Sequence, residues 1–115
     1  MTERKQFEEK AKELTSVMKK ELDDKRFRHT ISVAHTASAM AMCYGENPYR
    51  AYIAGLLHDC AKCIPHKDKI SLCAKYGLKT NVAETKNPDL LHAKLGSFLA
   101  REKYGVEDEE ILSAI

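Results

Sequence analysis

The chain has 115 residues, of which 43% are hydrophobic and 31% are charged, a composition typical of one globular domain and not of a disordered or multidomain protein. Nineteen basic and seventeen acidic side chains leave a formal charge of +2, too small to make nucleic acid the expected partner. No run approaches the ~18 apolar residues of a membrane-spanning helix, and the Lys- and Glu-rich segment from Met1 to Glu21 lacks the apolar middle of a signal peptide. We therefore expect a cytoplasmic protein without a membrane partner, whose cysteines are reduced.

Glycine and proline divide the sequence into helical segments, which predicts an all-α bundle of about five to six helices in one domain, residues 1–115. Three Tyr-Gly pairs, ending at Gly45, Gly77 and Gly105, are expected to close helices in the left-handed conformation. Asn-Pro pairs at 47–48 and 87–88 are expected to open them. The predicted helices run from Glu3 to Leu22, Lys25 to Tyr44, Pro48 to Cys60, Pro65 to Tyr76, Pro88 to Tyr104, and from about Glu107.

Two segments of this pattern bear on function. The third predicted helix is apolar almost all round between Ala51 and Leu57, which is typical of a central helix buried by its neighbours. The polar stretch from Lys79 to Asn87 is the one candidate long loop, expected to be an exposed connector or a lid.

Ligand-type side chains follow the buried third helix directly, at His58 and Asp59. Neighbouring helical residues point about 100° apart, so both can reach one ion only near the end of the helix. A neutral imidazole and a carboxylate suit iron, manganese or zinc better than calcium. His29 and His92 lie near the starts of the second and fifth predicted helices, and we expect all three imidazoles to meet in one pocket.

Two basic side chains accompany this group. Lys62 follows Asp59 by three positions, and Arg26 precedes His29 by three. A cation beside a metal site favours an anionic substrate, although a lysine near a helix C-terminus also interacts favourably with the helix dipole. Cys60 and Cys63 have the spacing of a redox or zinc motif, but no βαβ pattern or second ligand pair accompanies them, so we expect small, partly buried thiols.

Three segments together resemble a known family: Arg-Phe-Arg-His-Thr at 26–30, Leu-Leu-His-Asp-Cys-Ala-Lys at 56–62 and Leu-Leu-His-Ala at 90–93. They are similar to the HD-domain metal-dependent phosphohydrolases, specifically the YqeK-like branch, from about Lys25 to Ile115. The resemblance implies a symmetrical bis(5′-nucleosyl)-tetraphosphatase that cleaves diadenosine tetraphosphate into two ADP by a metal-activated hydroxide.

The resemblance also implies roles for individual residues. His29, His58, Asp59 and His92 correspond to metal ligands of a two-iron centre, with Asp59 bridging the ions and manganese or zinc as alternatives. Asp59 and Lys62 are the expected catalytic residues, and Arg26 and Lys62 the expected contacts to a small-molecule nucleotide. The family pattern places a further His and Asp ligand beyond the position of Ile115. We therefore expect a piece of a longer protein; the alternatives are that water or another chain fills these positions, or that metal binding is impaired. A homodimer is expected if nothing follows the last apolar helix.

Two alternatives stay open from the sequence. An HD hydrolase of this kind could act on a deoxynucleotide, an alarmone or a cyclic dinucleotide. A helical module could also hold a metal or nucleotide without turnover.

Overall fold

The computed structural model describes residues 2–61 and 64–115, apart from the side chains of His66, Pro88 and Asp89. Within these residues the fold is entirely helical and contains no strand, which confirms the predicted all-α class. None of the described helices is both long and apolar enough to cross a bilayer. The helices are α1 (Glu3–Glu21), α2 (Asp24–Cys43), α3 (Pro48–Leu57), α4 (His66–Lys75), α5 (Val82–Lys86), a 3₁₀ helix (Pro88–Leu91), α6 (His92–Glu102) and α7 (Glu109–Ala114).

Side-chain caps determine where several helices begin. Asp23 accepts from the backbone N–H of Arg26 at 2.7 Å, and Asn47 accepts from the N–H groups of Tyr49 and Arg50. Both contacts satisfy donors that a helix start otherwise leaves unpaired. The three predicted left-handed glycines are confirmed, with φ of 73° at Gly45, 71° at Gly77 and 69° at Gly105.

The structure differs from the predicted elements at three places. α3 ends at Leu57, three residues before the predicted end at Cys60. The expected loop from Lys79 to Asn87 contains the short helix α5. The segment predicted as one helix from Pro88 to Tyr104 starts as a 3₁₀ helix, so that α6 begins at His92 and Asn87 lies between two short helices. The described chain therefore has seven α-helices, more than the five to six predicted.

The core forms around α3, which packs against three other helices, α1, α2 and α7. Leu56 and Leu57 are completely buried, as the apolar pattern predicted. A second cluster joins Ala61 and Cys73 to Leu91 and Leu95, so α4 packs against the 3₁₀ helix and α6. The end of α3 lies where these two clusters meet, because Cys60 belongs to the first and Ala61 to the second.

Gly55 allows α2 and α3 to approach closely. A Cβ atom at this position would lie 2.8 Å from Cα and 3.1 Å from the backbone nitrogen of Ala34. Backbone atoms cannot rotate out of the way as a side chain can, so only glycine fits here without moving a helix. This contact sets the distance between the helix that carries His29 and the helix that ends before His58.

Candidate metal centre

The carboxylate of Asp59 lies just after α3, in the turn between the two apolar clusters. Only 8% of its side-chain surface is exposed to solvent. Burial of a carboxylate among apolar residues is costly unless charged or hydrogen-bonding groups surround it. The surroundings of Asp59 therefore identify the groups with which it acts.

Within the described residues, four basic side chains from three parts of the chain surround this carboxylate. Arg26 and His29 come from α2, His58 precedes Asp59 in the turn, and His92 begins α6. Asp59 Oδ2 lies 3.1 Å from Arg26 Nη1, 3.2 Å from His58 Nε2 and 3.9 Å from His29 Nε2. Its other oxygen, Oδ1, lies 3.9 Å from His92 Nε2. The three predicted imidazoles thus meet around the predicted acid.

His58 is held in one orientation by the backbone of its own helix. Its Nδ1 lies 2.5 Å from the carbonyl oxygen of Gly55. A carbonyl oxygen only accepts hydrogen bonds, so we assign the proton of the neutral ring to Nδ1. Nε2, the nitrogen that faces Asp59, then presents a lone pair, and such a backbone contact commonly orients a metal-binding histidine.

His29, His58 and Asp59 form a group that could hold a metal ion, because their ligand atoms all lie within 4.8 Å of one another. No other such group of three or more His, Cys, Asp or Glu residues occurs in the described parts of the chain. Two imidazole nitrogens and one carboxylate oxygen are a donor set for iron, manganese or zinc. The residues present fit the metal that the resemblance implies.

The site is open on the side of α2 and closed on the side of α3. The His29 side chain is 53% exposed and that of Arg26 is 34% exposed, whereas Leu56 and Leu57 on the opposite side are buried. An anionic ligand can therefore approach past Arg26 and His29.

The structure brings together five of the six residues predicted for the site: Arg26, His29, His58, Asp59 and His92. The sixth, Lys62, lies outside the described residues, so its role stays a prediction. His35, which the sequence analysis did not assign to the site, contacts the ring of Tyr52 edge-on, with centroids 5.3 Å apart.

Two supporting contacts were not predicted from the sequence. One is the contact of the Gly55 carbonyl oxygen with His58. The sequence offered one indication of it, since a glycine inside an apolar helix often has a packing or functional reason. The other joins the turn to α6, since the Cys60 thiol donates to the carbonyl oxygen of Gly96 at 3.4 Å. Burial raises the pKa of Cys60 to about 12, and its sulfur is not part of the group that could hold a metal, so this thiol is a packed side chain beside the site.

Comparison with known proteins identifies the family to which this constellation belongs. The HD domain model matches residues 26–115, which include all four candidate ligands. The chain belongs to the HD-domain family.

Curated relatives of this HD-domain protein share its sequence over most of its length. It is 34% identical over 103 residues to the symmetrical bis(5′-nucleosyl)-tetraphosphatase of Bacillus subtilis, covering 90% of this chain and 55% of that protein. It is 34% identical over 99 residues to the protein of the same name from Halalkalibacterium halodurans, covering 86% of this chain and 52% of the relative. The chain thus spans about half the length of these relatives.

A solved structure has the same fold. It is the crystal structure of a predicted HD superfamily hydrolase involved in NAD metabolism from Clostridium acetobutylicum, with a TM-score of 0.84 and 35% sequence identity. The match covers 89% of this chain and 54% of that chain. At this similarity the arrangement of the helices around the candidate site is that of an HD-domain protein.

Proposed function

We propose that the protein hydrolyses dinucleoside polyphosphates, with diadenosine tetraphosphate as its substrate and two ADP as the products. One observation carries the proposal: three imidazoles and an arginine from separate parts of the chain surround the buried carboxylate of Asp59. The names of the Bacillus and Halalkalibacterium relatives support the choice of substrate. Residues 1–115 would act as one HD-domain unit that binds a small-molecule nucleotide.

His29, His58, Asp59 and His92 would hold the metal. The two oxygens of Asp59 face different imidazoles, His29 and His58 on one side and His92 on the other, so this carboxylate would hold the metal together with both sets of imidazoles. We propose iron for this centre, and manganese and zinc accept the same donors. When bound, such ions lower the pKa of water and stabilise negative charge on phosphoryl oxygens.

The other residues of the site orient these ligands and the substrate. Gly55 holds His58 with Nε2 directed at Asp59, and the buried leucines of α3 exclude water from that side. Arg26 lies at the open side and would contact the polyphosphate, with Lys62 predicted to do the same. One water is consumed as the bridge between the two central phosphorus atoms breaks, so both products are ADP.

Product analysis tests this proposal. Protein loaded anaerobically with Fe²⁺, or with Mn²⁺, is incubated with diadenosine tetraphosphate, and the nucleotides are separated by ion-exchange chromatography. We expect ADP alone. ATP together with AMP would show asymmetric cleavage, and an unchanged substrate would reject hydrolysis by this chain.

Replacement of Asp59 by Asn tests the assignment of the ligands. The amide keeps the shape of the side chain but removes the charge on which the ion depends, so we expect metal content and turnover to fall together, by about 100-fold or more. Metal content is measured by mass spectrometry after desalting. The control is Glu9→Gln, which removes an equal charge at an exposed position of α1. A metal-loaded, fully active Asp59→Asn variant would refute the assignment.

A further inference from the structure

The segment immediately before His92 has little stability of its own. It consists of α5, which has five residues, and the 3₁₀ helix, which has four. Isolated helices of this length are not stable in water because nucleation is costly. Contacts with the rest of the protein must therefore hold the segment and, through it, the residue with which α6 begins.

Glu84 and Lys94 supply such contacts. The Glu84 side chain is only 11% exposed, and its Oε2 lies 3.0 Å from Lys94 Nζ. Lys94 Nζ also donates to Glu84 Oε1 at 3.0 Å and to the carbonyl oxygen of Lys79 at 2.6 Å. A capping box joins Glu84 to Asn81, with reciprocal bonds of 2.8 and 3.0 Å.

This ion pair closes the chain between residues 84 and 94 into a loop that contains the 3₁₀ helix and His92. Lys94 follows His92 by two positions, so its side chain projects about 200° around α6 from that of His92. The pair therefore holds the start of α6 from the face opposite the candidate metal centre and touches none of its ligands. Because Glu84 is nearly buried, solvent screens this pair less than an exposed one.

We propose that the Glu84–Lys94 ion pair is a positioning pair that fixes His92 relative to Asp59. The proposal rests on the function proposed above, since it assigns His92 to the metal centre. Without the pair, α5 loses its contact with α6, and the start of α6 moves relative to the turn that carries Asp59. Metal affinity, and not only stability, therefore depends on two residues that do not contact the metal.

The experiment compares Glu84→Gln, Lys94→Met and the conservative Lys94→Arg with the wild type. The matched control is Glu21→Gln, which removes the ion pair that Glu21 Oε1 forms with Lys103 Nζ at 2.9 Å. The dissociation constant for Co²⁺ is measured by titration at a temperature where every variant is folded. The imidazole signals of His92 are followed by ¹H–¹⁵N NMR in metal-free protein.

We expect the first two variants to bind Co²⁺ about ten-fold more weakly and to shift the His92 signals, whereas Lys94→Arg and the control retain the affinity of the wild type. A merely structural pair would lower the unfolding temperature and leave the dissociation constant unchanged, and that result would overturn the proposal. Failure of the wild type to bind Co²⁺ or to cleave the nucleotide would instead count against the proposed function. The His92 signals of the metal-free variants would then decide this inference, and unchanged signals would reject it.

Discussion

Asp59 shows how the cost of burying a charged residue is offset at this site. Its carboxylate lies at the junction of two apolar clusters, 8% exposed, and Nη1 of Arg26 lies 3.1 Å from its Oδ2. Removal of one partner from such a buried group leaves the other uncompensated, which is why the polar residues of the site depend on one another. The adjacent Cys60 is also buried but carries no such cost, since its thiol packs among apolar residues and donates one weak hydrogen bond.

The reactivity of the cysteines follows from their surroundings. Burial raises the pKa of Cys60 to about 12 and also raises the pKa of Cys73, whereas Cys43 is exposed. The thiolate is the reactive form, and at pH 8 a thiol with a pKa near 12 is about one ten-thousandth ionised. We therefore expect iodoacetamide to modify Cys43 in the folded protein and to spare Cys60 and Cys73.

Mass spectrometry of tryptic peptides measures the extent of modification at each cysteine. A sample unfolded in urea is the control, in which Cys43, Cys60 and Cys73 should all react. Modification of Cys60 at the rate of Cys43 in folded protein would contradict the buried position of its thiol.

Among the helices, α2 and α3 approach closely at Gly55. Gly55 contributes to the site twice, because its missing side chain admits Ala34 and its carbonyl oxygen binds His58. The second helix carries His29 and Arg26, so any increase in the distance between these helices moves two members of the site away from Asp59.

Substitution of this glycine tests the packing. In Gly55→Ala the new methyl group would lie 2.8 Å from Ala34 Cα, and we expect a loss of about 1–3 kcal/mol in the free energy of unfolding. The measurement is urea denaturation followed by circular dichroism. Gly96→Ala is the matched control, because its Cβ would meet only side-chain atoms, the nearest being Cys60 Sγ at 3.4 Å. Equal stability of the two variants would contradict the tight contact.

The sequence predicted the helices that carry strong local signals and missed those that depend on distant contacts. The glycines at 45, 77 and 105 end their helices as expected, because the left-handed conformation is a local property. α5 was missed although Asn81 and Glu84 form a capping box, a local signal of a helix start. Its five residues are too few to show a hydrophobic repeat, and its contact with Lys94 of α6 depends on the fold. The candidate ligands His58 and Asp59 could be predicted because they directly follow an apolar helix. Their distances from His29 and His92 could not be predicted, because these depend on how the helices pack.

For the whole molecule, the candidate site joins parts of the chain that are far apart in sequence. Its candidate ligands come from α2, the turn after α3 and the start of α6. Metal bound by all of these candidate ligands would therefore connect distant parts of the folded chain, and it could not form the same contacts in the unfolded state. Metal binding should consequently stabilise the entire fold.

Thermal unfolding with and without metal measures this effect. At a free metal concentration 100 times the dissociation constant, linkage gives about 2.7 kcal/mol, which for a chain of this size corresponds to a rise of roughly 10 °C in Tm. Addition of a chelator should reverse the rise. The same titration on Asp59→Asn should leave Tm unchanged, and an equal rise in that variant would place the stabilising ion elsewhere.

The close contact at Gly55 also limits how this protein can be engineered. Replacing glycine by alanine inside helices is a common way to gain about 1 kcal/mol from helix propensity. Stabilising substitutions chosen from helix propensity alone would include Gly55→Ala, and here the change would lower the free energy of unfolding instead of raising it. The same change would shift the carbonyl oxygen of residue 55 that orients His58. Protein stability and the orientation of His58 therefore cannot be changed separately at this position.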